Sequence, residues 1–148
     1  MINCEPFCGA AGDKCHGLNI LSPSERINTS EYAAFVETGK PHFLVDVRMP
    51  VELEITKLPT TTHNIPMDEF SKSEGYCTLL NGLYEDVSKQ ASVHEPLPMF
   101  VVCRRGNDSQ LAVRKLQALF SDVPVTIKDI VGGLTAWSSD VDKNFPIY

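Results

Sequence analysis

The chain has 148 residues, 43% hydrophobic, 22% charged and 8% aromatic, which supplies one real core and excludes a collagen-like or fully disordered protein. Nineteen acidic against thirteen basic residues give a formal charge of −6, which argues against a nucleic-acid binder working through overall positive charge. No apolar run approaches the roughly 18 residues of a membrane span, and residues 1–10 carry no basic stretch followed by an apolar one, so a cytoplasmic protein with neither signal peptide nor membrane partner is expected.

Residues 1–21 stand apart. They hold three of the five cysteines (Cys4, Cys8, Cys15), three glycines and few large apolar side chains, with no helical or strand period. We read them as a largely irregular linker, with the ordered domain spanning 22–148 from Ser22-Pro23 onward. An odd cysteine count without a secretion signal favours thiols over a disulfide framework. Cys4, Cys8, Cys15 and His16 are separated by spacings unlike the close Cys-x2-Cys pairs of structural zinc. Cys8 and Cys15 are close enough in sequence to bridge, but a reducing compartment opposes it. No metal ligand set and free linker thiols are therefore expected.

Strands and helices alternate after the linker. Residues 25–28 read as a short strand, and Thr29 as the N-cap of a helix carrying Tyr32, Ala33, Phe35 and Val36 that Gly39 ends. Phe43-Leu44-Val45-Asp46-Val47 is a buried strand. Residues 50–62 are loop with a helical turn at 51–55, and His63-Asn64-Ile65-Pro66 is another short strand. Residues 76–90 place Leu79, Leu80, Leu83, Tyr84 and Val87 at helical spacing, with Cys77 as packing. A buried strand at 98–102 leads to an amphipathic helix at 109–120. A strand at 125–131 is broken by Gly132-Gly133, and a last helix starts at 134–137, with Trp137 in the core. The order implies an α/β fold around a mainly parallel sheet.

The most informative stretch runs from Met99 through Cys103-Arg104-Arg105-Gly106-Asn107-Asp108 to Ser109. A cysteine ends a buried strand, where open α/β sheets bind ligands. A short loop then enters a helix whose first N–H groups lack intrahelical partners and favour an anion. A loop curled around the sulfur presents its amides as a concave anion site. Gly106 and Asn107 tolerate the positive φ such a curl needs. Arg104 and Arg105 add positive charge, so Cys103 is expected to be a reactive nucleophile. Asp108 is expected to cap free amides and to set a carboxylate at the mouth of the loop. A cysteine phosphatase would need an arginine after five intervening residues to hold phosphate bidentately. That position is Ser109, and the shorter loop suits one extra sulfur atom better than a phosphate.

Three segments resemble the rhodanese-like family. Leu44-Val45-Asp46-Val47-Arg48 with Glu52 and His63-Asn64-Ile65-Pro66 is similar to its first signature, although Lys57-Leu58-Pro59 stands near where the family has a spaced Gly-His. The Cys103 loop matches its sulfur-carrying loop, and Val131-Gly132-Gly133-Leu134-Thr135-Ala136-Trp137 its C-terminal signature. The Cys103–Gln110 octapeptide, Asp129-Ile130-Val131-Gly132-Gly133-Leu134, the ending Phe145-Pro146-Ile147-Tyr148 and the N-terminal Phe7-Cys8-Gly9, Asp13-Lys14-Cys15 and Leu21-Ser22-Pro23 resemble one subfamily. Its members are the C-terminal rhodanese-like domains of eukaryotic adenylyltransferase–sulfurtransferases of molybdenum-cofactor biosynthesis and tRNA thiolation.

The resemblance implies a mainly parallel five-stranded sheet flanked by helices and a sulfurtransferase with a persulfide on Cys103. Its outer sulfur would pass to the activated C-terminal glycine of a ubiquitin-like sulfur carrier, forming a thiocarboxylate. It also implies a persulfide-donating desulfurase as partner and, if the chain is part of a longer protein, an N-terminal adenylating domain. No cofactor is implied in this domain, since ATP and zinc would belong to that adenylating domain. A general thiosulfate:cyanide sulfurtransferase and a non-enzymatic docking module are the alternatives. Asp46 and Arg48 are expected at the strand end near the loop, as an ion pair serving the fold or bracing the loop. His42, His63 and His94 are scattered, and nothing places one as a base.

Overall fold

The computed structural model describes residues 19–73, 75–92 and 94–148. Strands β1 (Arg26–Ile27), β2 (Phe43–Asp46), β3 (His63–Asn64), β4 (Leu97–Val102) and β5 (Val125–Ile130) form one sheet in the order β1-β5-β4-β2-β3, with every neighbouring pair parallel. The strands are linked by helices α1 (Thr29–Glu37), α2 (Pro50–Ile55), α3 (Thr78–Gln90) and α4 (Asp108–Leu119), with α5 (Gly133–Asp140) after the last strand, and by 3-10 turns at Pro23–Glu25 and Met67–Ser71. The register sets Val45 beside Val101 and Met99 beside Ile127.

Parallel strands covered on both faces must be apolar throughout. All four residues of β2 are buried, as are Met99 to Val102 of β4. The two-residue period sends Phe43, Val45, Met99 and Val101 to one side, against Leu83, Val87, Val113 and Leu116. It sends Leu44, Phe100 and Val102 to the other, against Tyr32, Ile130 and Leu134, with Trp137 partly buried there. This second face is aromatic, with the rings of Tyr32 and Phe35 edge-on to Phe100 at 5.1 and 5.0 Å. Burial pushes the Tyr32 phenol up to about 12.

Three local readings are corrected. The cap of α1 is Asn28, not Thr29: Asn28 Oδ1 accepts from the Glu31 amide at 2.8 Å and Glu31 Oε1 accepts from the Asn28 amide at 3.0 Å. Thr29 lacks such a partner three residues on, so the reciprocal pair decides between two capping residue types. Helix α3 begins at Thr78, which leaves Cys77 just outside it, its Sγ near the carbonyls of Lys72 and Ser73. Leu79 is exposed, because Leu80, Leu83 and Val87 form the inward stripe and Leu79 lies one residue off it.

Packing reaches back to Ile20 and Leu21. Leu21 is buried in the aliphatic cluster, and both amides point at Gln110 Oε1, at 3.0 and 3.4 Å. In the sheet β2 lies on one side of β4 and β5 on the other. The chain leaves β4 toward β5 and leaves β2 toward β3, so the loops part above the carboxyl ends of β2 and β4. A crevice opens where strand order reverses.

Candidate active site

Cys103 directly follows β4 and is 5% exposed. Its Sγ accepts hydrogen bonds from the Gly106 amide at 3.0 Å and the Ser109 amide at 3.4 Å. The Ser109 amide belongs to the first turn of α4, one of the donors a helix start leaves without an intrahelical partner. The loop closes around the sulfur because Gly106 adopts φ 88°, and a Cβ there would lie 2.6 Å from the Gly132 nitrogen. Asn107 keeps φ −98°, so the left-handed step expected of both residues falls to Gly106. The floor beneath comes from the start of α5. Leu134 and Thr135 donate their amides to the carbonyls of Cys103 and Arg104 at 3.0 and 2.9 Å. A Cβ on Gly133 would collide with the Cys103 carbonyl.

A pocket of about 450 Å³ opens over this loop between the β2 and β4 ends; its walls include Arg48, Met49, Glu52, Arg104, Arg105 and Asp108. The Arg104 guanidinium lies 4.4 Å from the centre of the Tyr148 ring, while Arg105 is exposed. Asp108 corrects the capping expectation. It is the first residue of α4, exposed, and its carboxylate makes no hydrogen bond to a helix amide among the described residues, because the cap position falls one residue earlier, on Asn107. It does place a carboxylate at the pocket mouth.

Asp46 and Arg48 form a closed ion pair. Arg48 Nη2 lies 2.7 Å from Asp46 Oδ2, and the two residues are 4% and 0% exposed. Arg48 Nε also donates to Asp46 Oδ1 at 3.0 Å, and the remaining guanidinium hydrogens go to the Thr56 carbonyl at 2.8 Å, the Tyr148 hydroxyl at 2.7 Å and the Glu52 carbonyl at 3.3 Å. Burial opposes the charge, but the bonds to Asp46 and Tyr148 outweigh it and hold Arg48 above its ordinary pKa. The pair is buried and reaches the sulfur loop through Tyr148, whose hydroxyl accepts from Arg48 and whose ring carries Arg104.

Sequence reasoning missed a second constellation. The Cys103 thiol donates to Ser109 Oγ at 3.4 Å, and that hydroxyl donates to Asp129 Oδ2 at 2.9 Å. Arg26 grips both Asp129 oxygens at 2.7 and 2.9 Å and donates to the Gly106 carbonyl at 3.2 Å. The available signal was an acid inside the expected strand at 125–131, two residues from Ile127 and from Val131 on the same face, where a carboxylate asks for a partner. His42 bonds the Tyr32 hydroxyl, His63 bonds Asp86, and His94 lies in a turn; none lines the pocket. Cys4, Cys8, Cys15 and His16 lie outside the described residues. Among the described residues no three His, Cys, Asp or Glu side chains cluster to hold a metal, and no helix is long and apolar enough to cross a membrane.

Comparison with known proteins shows what the chain is similar to. The family described as the rhodanese-like domain matches residues 28–140. The chain is 43% identical over 150 residues to "Adenylyltransferase and sulfurtransferase MOCS3" of Mus musculus, covering 97% of this chain and 32% of that protein. It is 45% identical to the same-named protein of Aedes aegypti, covering 100% of this chain and 32% of the relative. It thus spans about a third of these relatives. Among solved structures, "Ygr203w, a yeast protein tyrosine phosphatase of the Rhodanese family" superposes with a TM-score of 0.63 at 14% identity, covering 82% of this chain and 88% of that one, a likeness of fold.

Proposed function

The chain belongs to the rhodanese-like domain family, and from that premise we propose that it is a sulfurtransferase, working by carrying a persulfide on Cys103 and handing the outer sulfur to a protein acceptor. The observation that supports this most is the Cys103 sulfur itself, bonded by two backbone amides at the base of a pocket with room for more than a small anion. Amides fixed around a sulfur stabilise negative charge that develops on it in the reaction, without cost of reorganisation.

The acceptor we propose is the activated C-terminal glycine of a ubiquitin-like sulfur carrier, in the service of molybdopterin synthesis and tRNA 2-thiouridine formation. The charged outer sulfur attacks the activated carboxyl carbon and displaces its leaving group, giving an acyl disulfide. A second thiol then attacks Cys103 Sγ and forms a disulfide with it, while the S–S bond of the acyl disulfide breaks and its electron pair leaves with the thiocarboxylate. Activation belongs to an N-terminal adenylating domain, with its ATP and zinc, and a desulfurase supplies the persulfide in the cytoplasm. The domain itself needs no metal or organic cofactor, because the persulfide is the carrier. The adenylyltransferase half of the relatives' name supports this division of labour.

Loading with a sulfur donor should raise the intact mass by one sulfur, about 32 Da, reversibly with reductant, as thiol–disulfide chemistry requires. Cys103→Ala should take up none. Labile sulfur on another cysteine of that variant would sink the assignment.

A further inference from the structure

We infer that Ser109 is a further catalytic residue, whose hydroxyl turns from Asp129 onto the Cys103 sulfur as that sulfur becomes the leaving thiolate, with Asp129 and Arg26 as its positioning residues. The inference rests on the sulfurtransferase reading above and adds a residue to it.

A hydroxyl has one hydrogen to give and two lone pairs. While Cys103 keeps its proton, the thiol donates to Ser109 Oγ and the hydroxyl hydrogen goes to Asp129 Oδ2. Once the sulfur is charged it has no hydrogen to offer and can only accept. Rotation about the Cβ–Oγ bond brings the hydroxyl hydrogen to the sulfur, across the same 3.4 Å. Asp129 can release that hydrogen because Arg26 keeps a charged donor on each carboxylate oxygen. Solvent is poorly placed to do this work, since Ser109 and Asp129 are 0% exposed. A hydrogen bond to a charged group away from water is among the stronger ones.

The need arises at one moment. In loading from thiosulfate, the Cys103 thiolate attacks the outer sulfur, the thiosulfate S–S bond breaks, and sulfite leaves with the electron pair. In delivery to cyanide, the cyanide carbon attacks the outer sulfur and forms a C–S bond. The bond from that sulfur to Sγ breaks, its pair goes to Sγ, and thiocyanate leaves. Negative charge grows on Sγ during this second step, where a donor aimed at it lowers the barrier.

The test preloads the protein with thiosulfate and follows thiocyanate release in a single turnover with cyanide, with a melting curve for each variant. Ser109→Ala should release about tenfold more slowly, the worth of one hydrogen bond to a charged group. Ser109→Thr, which keeps a hydroxyl, should recover most of the rate. Arg26→Gln should slow release about threefold, because Asp129 then holds the hydroxyl hydrogen more tightly; this variant also carries the test if Ser109→Ala does not fold. Equal release by parent and Ser109→Ala, equal slowing by the alanine and threonine variants, or an unaffected Arg26→Gln would each overturn the inference. A parent that acquires no cyanide-labile sulfur would instead overturn the sulfurtransferase mechanism.

Discussion

Two buried aspartates flank the central strand, and each holds an arginine. Asp46 ends β2 on one side of β4 and grips Arg48; Asp129 lies near the end of β5 on the other side and is gripped by Arg26. Both carboxylates are fully buried. They differ in what else they touch. Asp46 Oδ1 also accepts the Arg48 amide at 3.0 Å, so that pair closes on itself. Asp129 receives the Ser109 hydroxyl and through it stands two hydrogen bonds from the Cys103 sulfur. The same desolvated pairing thus makes a fastening in one place and part of the reaction centre in the other, and the third partner decides which.

The largest expected effect comes from breaking either pair. Asp46→Ala leaves the Arg48 charge buried without its partner and should cost about 3–5 kcal/mol in urea unfolding. Its folded fraction should still release sulfur at the parental rate. Asp129→Ala should cost a similar amount and slow release as well. Matching release rates for the two variants would erase the distinction between the pairs.

A smaller effect is expected from the charges at the pocket rim. Replacing Arg104 and Arg105 together with alanine should slow loading from thiosulfate by roughly tenfold at low salt and much less at high salt, because salt screens exposed charge. Equal slowing at every ionic strength would point to lost packing of Arg104 on Tyr148. Tyr148→Phe keeps that ring but removes the hydroxyl that joins Arg48 to Glu52, at 2.7 and 2.9 Å. It should cost about 1 kcal/mol of stability and leave loading alone. The smallest effect belongs to Asp108→Asn. Its exposed carboxylate has no capping bond to lose, so stability should change by less than about 0.5 kcal/mol. Thiosulfate loading should rise by roughly two- to fivefold once the repulsion of a dianion is gone. Unchanged thiosulfate loading would leave Asp108 without a part in choosing the sulfur donor.

The strands that bear the site were legible because each is a short, wholly apolar run: Phe43 to Val45 and Met99 to Val102 could hardly be anything but buried. The Cys103 loop was legible because its chemistry is local, with sulfur, glycine, arginines and helix start all within seven residues. Asp129 was not, because its burial makes sense only beside Arg26, 103 positions earlier in the chain. Spacing along the chain carries no trace of such a pairing; the parallel register of Arg26 opposite Asp129 creates it. Asn28 was a nearer miss. Both Asn28 and Thr29 are capping residues, and the Glu31 three positions after Asn28 was the sign that separates them.

The outermost strands of the sheet, β1 and β3, are two residues long each. A strand so short offers an approaching chain barely one rung of unpaired backbone groups, too little to template another strand. The long apolar strands that hold the sulfur loop stay inside, shielded on both flanks. A protein obliged to keep a sulfur close to its surface therefore holds the strand that carries it, β4, between two others and away from the sheet edges on which aggregation can begin.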